Sequence, residues 1–281
     1  MEKQVVIITG ASSGMGYEAA KRFNEKGWIV YAGARRVERM KELETLGIHT
    51  MLLDVTNTDS NQNLVDTVIK EQGQIDVLIN NAGYGEYGPT EEISMKKARA
   101  QLDVNLFAAA ELANMVIPIM RKQKSGRIVN ISSTGGDQYT PLGAWYYASK
   151  AALQQWSDTL DLELRNFGIR SVIVQPGGTR TEWAKVTLEK IKENLAPLSP
   201  YKKMVDALEG LTSRQQSGRF ANMAATPADL AKVFYKAATD KRPKWRYFHS
   251  FPDRMLTLIG RHFPRSYRAI LNQFMMKRFS Q

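Results

Sequence analysis

The chain has 281 residues, 43% of them hydrophobic, no cysteine, and 39 Lys and Arg against 28 Asp and Glu, for a formal net charge of +11. That length suits one large domain or two small ones with a core of their own, and the lack of cysteine excludes disulfides, a thiolate nucleophile and a Cys-ligated metal. The charge is unevenly placed: residues 241–281 hold ten basic side chains and one acid, Asp253, while the remainder carries only +2. The first residues run straight into Val5-Val6-Ile7-Ile8, too short an apolar stretch for a signal peptide. No uninterrupted apolar run of about 18 residues occurs, so no membrane-spanning helix is expected, and a cytoplasmic protein is the expectation.

Short β-branched runs alternate with stretches of helical period along the first 175 residues. Strands are expected over 4–9, 28–32, 49–53, 77–80, 127–132 and 170–175. Helices are expected over 15–26, 39–46, 59–72, 95–121 with a break near Asn105, and 148–166. Strands apolar on both faces, separated by helices, predict a doubly wound parallel α/β sheet with helices on both sides. Residues 177–226, with their prolines and glycines, read as a lid carrying modest helices at 188–194 and 201–211. Thr226-Pro227 opens a helix through about Thr239, residues 244–250 suggest an edge strand, making about seven, and 252–281 read as one or two basic helices. The boundaries expected are a domain over 1–250 and a basic amphipathic extension over 251–281.

The first strand enters Thr9-Gly10-Ala11-Ser12-Ser13-Gly14-Met15-Gly16 at the start of a helix. Glycines there let the chain turn sharply and let a pyrophosphate approach the helix N-terminus; a plain tight turn is the alternative. At the end of the second strand, where an acid would bind a ribose 2′-hydroxyl, the chain reads Arg35-Arg36 instead. Two arginines suit a 2′-phosphate, which favours NADP(H) over NAD(H); otherwise they begin a solvated helix face. Asp54 and its neighbour Val55 follow the third strand, and Asn81-Ala82-Gly83 the fourth, at the carboxyl edge where ligands collect in such sheets. An N-cap for Asp54 and a turn for Asn81 remain open readings.

Ser132-Ser133 ends the fifth strand, and Tyr146 and Lys150 stand four apart at the start of the longest helix, hence on one face. A phenol with an ammonium beside it is a candidate proton-transfer pair, against the alternative of a surface Tyr–Lys contact.

With these residues in this order the chain resembles the short-chain dehydrogenase/reductase family: the Gly-rich turn at Thr9 to Gly16, Asp54, Asn80-Asn81-Ala82-Gly83, Asn105, Ser133, Tyr146 with Lys150, and Pro176-Gly177 through Thr179 to Thr181. The resemblance implies a Rossmann-type sheet, hydride transfer between a nicotinamide and a carbonyl or carbinol carbon, and cofactor contacts at Gly10, Ser12, Ser13, Gly14, Met15, Gly16, Arg35, Arg36, Asp54, Val55, Asn81, Ala82, Gly83, Tyr146, Lys150, Pro176, Gly177, Thr179 and Thr181. It further implies Tyr146 as general acid/base, Lys150 lowering its pKa, Ser133 holding the substrate oxygen and Asn105 steadying a water. The family spacing selects Ser133 over Ser132, and Lys150 selects Tyr146 over Tyr147. The pattern is most similar to the branch of steroid, retinol and acyl-dihydroxyacetone-phosphate reductases. Dimers or tetramers are common among such proteins.

The apolar lid residues Trp183, Val186, Leu188, Leu195, Leu198, Tyr201 and Met204 suit a bulky hydrophobic carbonyl or alcohol, or else anchor the lid. A catalytically idle NADP(H)-binding regulator is the rival to an enzyme. The aromatic-rich basic tail suits an anionic membrane surface, a partner, or simple packing on the domain; no nucleic-acid-binding motif accompanies it.

Overall fold

The computed structural model describes residues 3–179, 183–216 and 224–273; the side chains of residues 183–184 and 211–216 also lie outside the description. Seven strands run through one sheet: β1 Val5–Thr9, β2 Ile29–Ala34, β3 His49–Leu52, β4 Val77–Asn80, β5 Gly126–Ile131, β6 Ile169–Val174 and β7 Arg246–Tyr247. All are parallel, in the order β3-β2-β1-β4-β5-β6-β7. Every residue of β1 and β4 is buried, as expected of strands covered on both faces. This is the predicted doubly wound fold, in a single domain.

The helices divide between the two faces. α1 Gly14–Glu25 and α9 Pro227–Thr239 pack with Val6, Ile8, Val129, Val172 and Val174 on one side. α3 Thr58–Gln72, α5 Ala108–Gln123 and α6 Ala144–Leu164 pack with Val5, Ile7, Leu78 and Ile128 on the other. Odd and even residues of β1 thus serve opposite cores, the period-two alternation of a strand. α2 Lys41–Thr45 adds Leu43 to the first of these layers, and α4 Met95–Leu102 leads toward α5; the segment expected to form a lid carries α7 Trp183–Glu193 and α8 Lys202–Gln216, and the chain continues into α10 Phe251–His262 and α11 Pro264–Leu271.

Three expectations need correction. The helix expected to break at Asn105 does not break: a π-helical turn, Asp103–Phe107, joins α4 to α5, with the Ala108 N–H donating to the Asp103 carbonyl five residues back. The resulting helical run Met95–Gln123 is long and apolar enough to cross a bilayer, which a search for uninterrupted apolar residues overlooks. Its Leu112, Ala113, Val116 and Met120 nevertheless lie in the core beneath the sheet. The edge strand is two residues, not seven, because only Arg246 and Tyr247 pair with β6. The lid helices are longer than their proline- and glycine-punctuated sequence suggests, starting at Trp183 and reaching Gln216.

Candidate active site

The chain reverses its winding between β1 and β4, and the carboxyl ends of β1, β4, β5 and β6 deliver Gly10, Asn81, Ser133 and Pro176 to one edge. At β1 the turn is drawn tight. Gly10 adopts φ +69, and a Cβ there would stand 2.8 Å from the Ala82 Cα; a Cβ on Gly16 would stand 2.5 Å from Asn81 Nδ2. Only glycine allows both approaches. Thr9 Oγ1 accepts hydrogen bonds from the backbone N–H of Asn81 at 3.0 Å and of Ala82 at 2.9 Å, and Asn81 Nδ2 donates to the Thr9 carbonyl at 2.9 Å. Asn81 is therefore more than a turn residue: it clamps the two strand ends together.

This cradle fits a dinucleotide. Gly14, at φ +58, faces open space. Ser13 caps α1 by backbone geometry alone, with no side-chain acceptor on the first N–H groups, and the buried Asn81 Oδ1 has no partner among the described residues. Arg36 reaches over the turn, donating to Ser12 Oγ at 3.4 Å and Ser13 Oγ at 3.5 Å. Arg35 is exposed at the end of β2 and its charge helps lower the pKa of Asp54, after the larger effect of Thr56, whose hydroxyl and N–H both donate to Asp54. Met15 packs at the margin of the core, and Val55 is buried, its carbonyl held by Asn61 Nδ2 at 2.9 Å. Thr179 bridges Ala225; Thr181 lies outside the described residues.

At the other end of the edge, Tyr146 is 7% exposed and Lys150 6%, so the pair is no surface contact. The Tyr146 hydroxyl hydrogen-bonds the Ser133 side chain. Lys150 Nζ donates to the Ile131 carbonyl at 2.8 Å. Gly83 closes the group: a Cβ on it would lie 3.1 Å from Asn105 Oδ1 and 3.4 Å from Lys150 Nζ. Asn105, turned inward by the π-helical turn, donates from Nδ2 to the Tyr84 carbonyl and to Ser149 Oγ, both at 2.9 Å.

The neighbouring residues face other ways. Ser132 is buried, donating to the Lys150 carbonyl and accepting from Gln154 Nε2 at 3.1 Å. The Tyr147 hydroxyl is 2.7 Å from Thr140 Oγ1, one helical step around from Tyr146. Ser133 and Tyr146 are thus the members of each pair that meet.

Burial moves the two ionisable groups in opposite directions. It pushes the Tyr146 phenol up to about 12, with the Ser133 hydrogen bond a smaller opposing effect, and it holds the Lys150 ammonium down at about 8. The expected depression of the phenol by Lys150 does not emerge: removal from water dominates at both groups.

Sequence reasoning missed the supports. Gln154 and Gln175 each donate to the Ser133 carbonyl, at 3.2 and 3.3 Å. Above Tyr146, the lid residues Ile191 and Val205 join Tyr87 and Leu142 in an apolar cluster, with Leu195, Met204 and Leu208 packed against it. Val186 and Leu198 point to solvent, and the Trp183 side chain lies outside the description. A lone Gln in a helix or strand end carries no signature, whereas the 3–4 spacing of Leu188, Ile191 and Leu195 is a readable apolar face.

A parallel sheet with a Gly-rich first turn and a buried Ser–Tyr–Lys group at its carboxyl edge defines an oxidoreductase of the Rossmann type. The sequence matches the family model for short chain dehydrogenase over residues 4–192, and the chain belongs to that family. It is similar to a 3-ketodihydrosphingosine reductase of Bacteroides thetaiotaomicron, 41% identical over 182 residues, 64% of this chain and 66% of that protein. It is 33% identical to the oxidoreductase BOA17 of Botryotinia fuckeliana over 86% of this chain and 87% of that one. Among solved structures, a short-chain dehydrogenase from Streptomyces avermitilis superposes with a TM-score of 0.76 at 28% identity, covering 98% and 97% of the two chains. The closed, NADP+-bound form of a serine dehydrogenase gives 0.74 at 26%, covering 87% of this chain and 94% of that one.

Proposed function

We propose that the protein is an NADP(H)-dependent oxidoreductase that interconverts a ketone or aldehyde and its alcohol on a hydrophobic substrate. The observation that carries the reading is the buried Tyr146–Ser133 hydrogen bond beside Lys150, roofed by apolar lid residues. The similarity to a 3-ketodihydrosphingosine reductase supports a ketone as the oxidised substrate, and the NADP+ held by a structural neighbour supports the cofactor.

The turn Gly10 to Gly16, Asp54, Val55, Asn81 to Gly83 and residues 176–179 would hold the dinucleotide, with Arg35 and Arg36 against a 2′-phosphate. When bound, the cofactor supplies or accepts the hydride. Tyr146 and Ser133 grip the substrate oxygen from two sides, where negative charge develops during reduction. The phenol, kept protonated by burial, gives its proton to that oxygen, and the Lys150 ammonium stabilises the phenolate left behind. Asn105 positions the Tyr84 backbone and Ser149 beside this path. An idle regulator would have no use for so complete a proton-transfer group.

Tyr146→Phe keeps the ring packing and removes only the hydroxyl, and with it the transferable proton and the bond to Ser133. Turnover of a hydrophobic ketone is expected to fall by about a thousandfold or more, with NADPH affinity by fluorescence titration changed less than severalfold. Turnover near the wild-type rate would remove Tyr146 from the chemistry.

A further inference from the structure

α10 is mounted with its polar stripe inward. Asp253, Thr257 and Gly260, spaced four and three apart, form one face. A Cβ on Gly177 would meet Asp253 Oδ1 at 2.0 Å, and a Cβ on Gly260 would meet the Asp137 carbonyl at 2.3 Å, so this face lies against the domain. Thr257 and Gly260 are the buried residues of the helix. The opposite line, two residues out of phase, carries Phe251, Met255 and Leu258, which are 71%, 39% and 37% exposed. Of the sixteen large hydrophobic side chains exposed among the described residues, seven fall between Trp245 and Ile270. Packing on the domain, the plainest explanation of an apolar tail, would have buried this line.

Arg261 is answered by Asp137 at 3.3 Å and Asp158 at 3.9 Å, but three other cations around the line are not. Arg254, Arg265 and Arg268 are exposed and form no salt bridge among the described residues. Asp253, the sole acid of the tail, is turned onto Gly177 and accepts from Ser250 Oγ at 2.8 Å.

We propose that α10 and α11 form a docking surface for an anionic lipid bilayer, with Phe251, Met255 and Leu258 entering the acyl boundary and the arginines at the headgroups. Charge selects this occupant. A second copy of the chain would set one positive tail against another, and a nucleic acid would satisfy the arginines while leaving the apolar line in water; an anionic membrane answers both. The surface also lies at the carboxyl edge of the sheet, since α10 rests on Gly177 and on the turn that follows Ser133. The proposal stands independently of the chemistry assigned to the candidate active site.

The test is co-sedimentation of the full chain with phosphatidylcholine vesicles, with and without phosphatidylserine. Binding is expected only with the anionic lipid and is lost in high salt. The triple variant Arg254→Gln, Arg265→Gln, Arg268→Gln should lower the partition coefficient on the order of a hundredfold, and Phe251→Gln with Met255→Gln should abolish binding, both with circular dichroism unchanged. The absence of cysteine supplies a check that does not depend on disruptive variants: a polarity-sensitive fluorophore on Met255→Cys should shift to the blue with anionic vesicles, and one on Glu25→Cys should not. No sedimentation, equal binding to both vesicles, or no shift at position 255 would overturn the proposal. So would variants that dissociate a dimer while vesicle binding persists, since the face would then be a contact between copies.

Discussion

Tyr146 and Lys150 share one face of α6, and the same loss of water raises the phenol to about 12 and lowers the ammonium to about 8. At neutral pH both groups therefore carry their protons. A protonated phenol donates to a carbonyl oxygen without prior titration, which suits reduction, whereas alcohol oxidation needs the phenolate. The sign follows: kcat/KM for ketone reduction should be level below about pH 8 and fall above it as Lys150 loses its proton, while alcohol oxidation should rise with pH over that range. Paired pH profiles of the two directions check this, and a reduction rate that climbs through pH 8 would contradict it. Cofactor choice belongs to the same scale. Arg35→Ala should raise KM for NADPH roughly tenfold or more by removing a charge-assisted bond, with little change for NADH; equal effects on both would leave the arginine with no part in discrimination. The motif residues were legible one by one because glycine, Tyr–Lys spacing and a missing acid each have a local meaning. The carbonyl clamps from Gln154 and Gln175 were not, since each lies more than twenty residues in sequence from Ser133.

Among the elements, α7 is clasped to the body of the domain through Asn194. Asn194, at the end of α7, donates from Nδ2 to Glu86 Oε1 at 2.6 Å and to the Tyr87 carbonyl at 2.8 Å, while its Oδ1 accepts from Lys97 Nζ at 2.6 Å. Glu86 is 4% exposed, and a carboxylate so placed needs its partners. Asn194→Ala removes three bonds and leaves Glu86 with Lys97 at 3.9 Å, a loss of about 1–3 kcal/mol. The expected consequence is a severalfold higher KM for a hydrophobic ketone, unchanged NADPH affinity, and faster proteolytic cleavage within residues 183–216. Unaltered KM and cleavage would show that the clasp does not hold the lid. Apolar periodicity announces α7 and α8 but not this fastening, which joins residues more than a hundred positions apart. The π-helical turn at Asn105 is similar: its inward side chain reaches Tyr84 and Ser149, and only those distant partners show why the helix is underwound there.

Across the whole molecule, two apolar layers sandwich one sheet, and a buried polar ladder crosses it: Asn80 Nδ2 donates to Asn130 Oδ1 at 2.9 Å, and Asn130 Nδ2 donates to Ser157 and Ser171. That ladder ties β4, β5, β6 and α6 at the strands that deliver the candidate site. Read alone, the chain determined its parallel sheet, because strands apolar on both faces must be covered on both, and it determined the nucleotide turn and the Tyr–Lys pair, because those depend on spacings of a few residues. The tail's charge was also plain from composition. Tertiary structure alone decided that Tyr146 meets Ser133 within an apolar cluster, that burial dominates the titration of Tyr146 and Lys150, and that the apolar line of α10 is left exposed. The reason is common to all three. Each depends on which surfaces are removed from water when remote segments meet, as Asp253 meets Gly177 and Gly260 meets Asp137, and no local period encodes that.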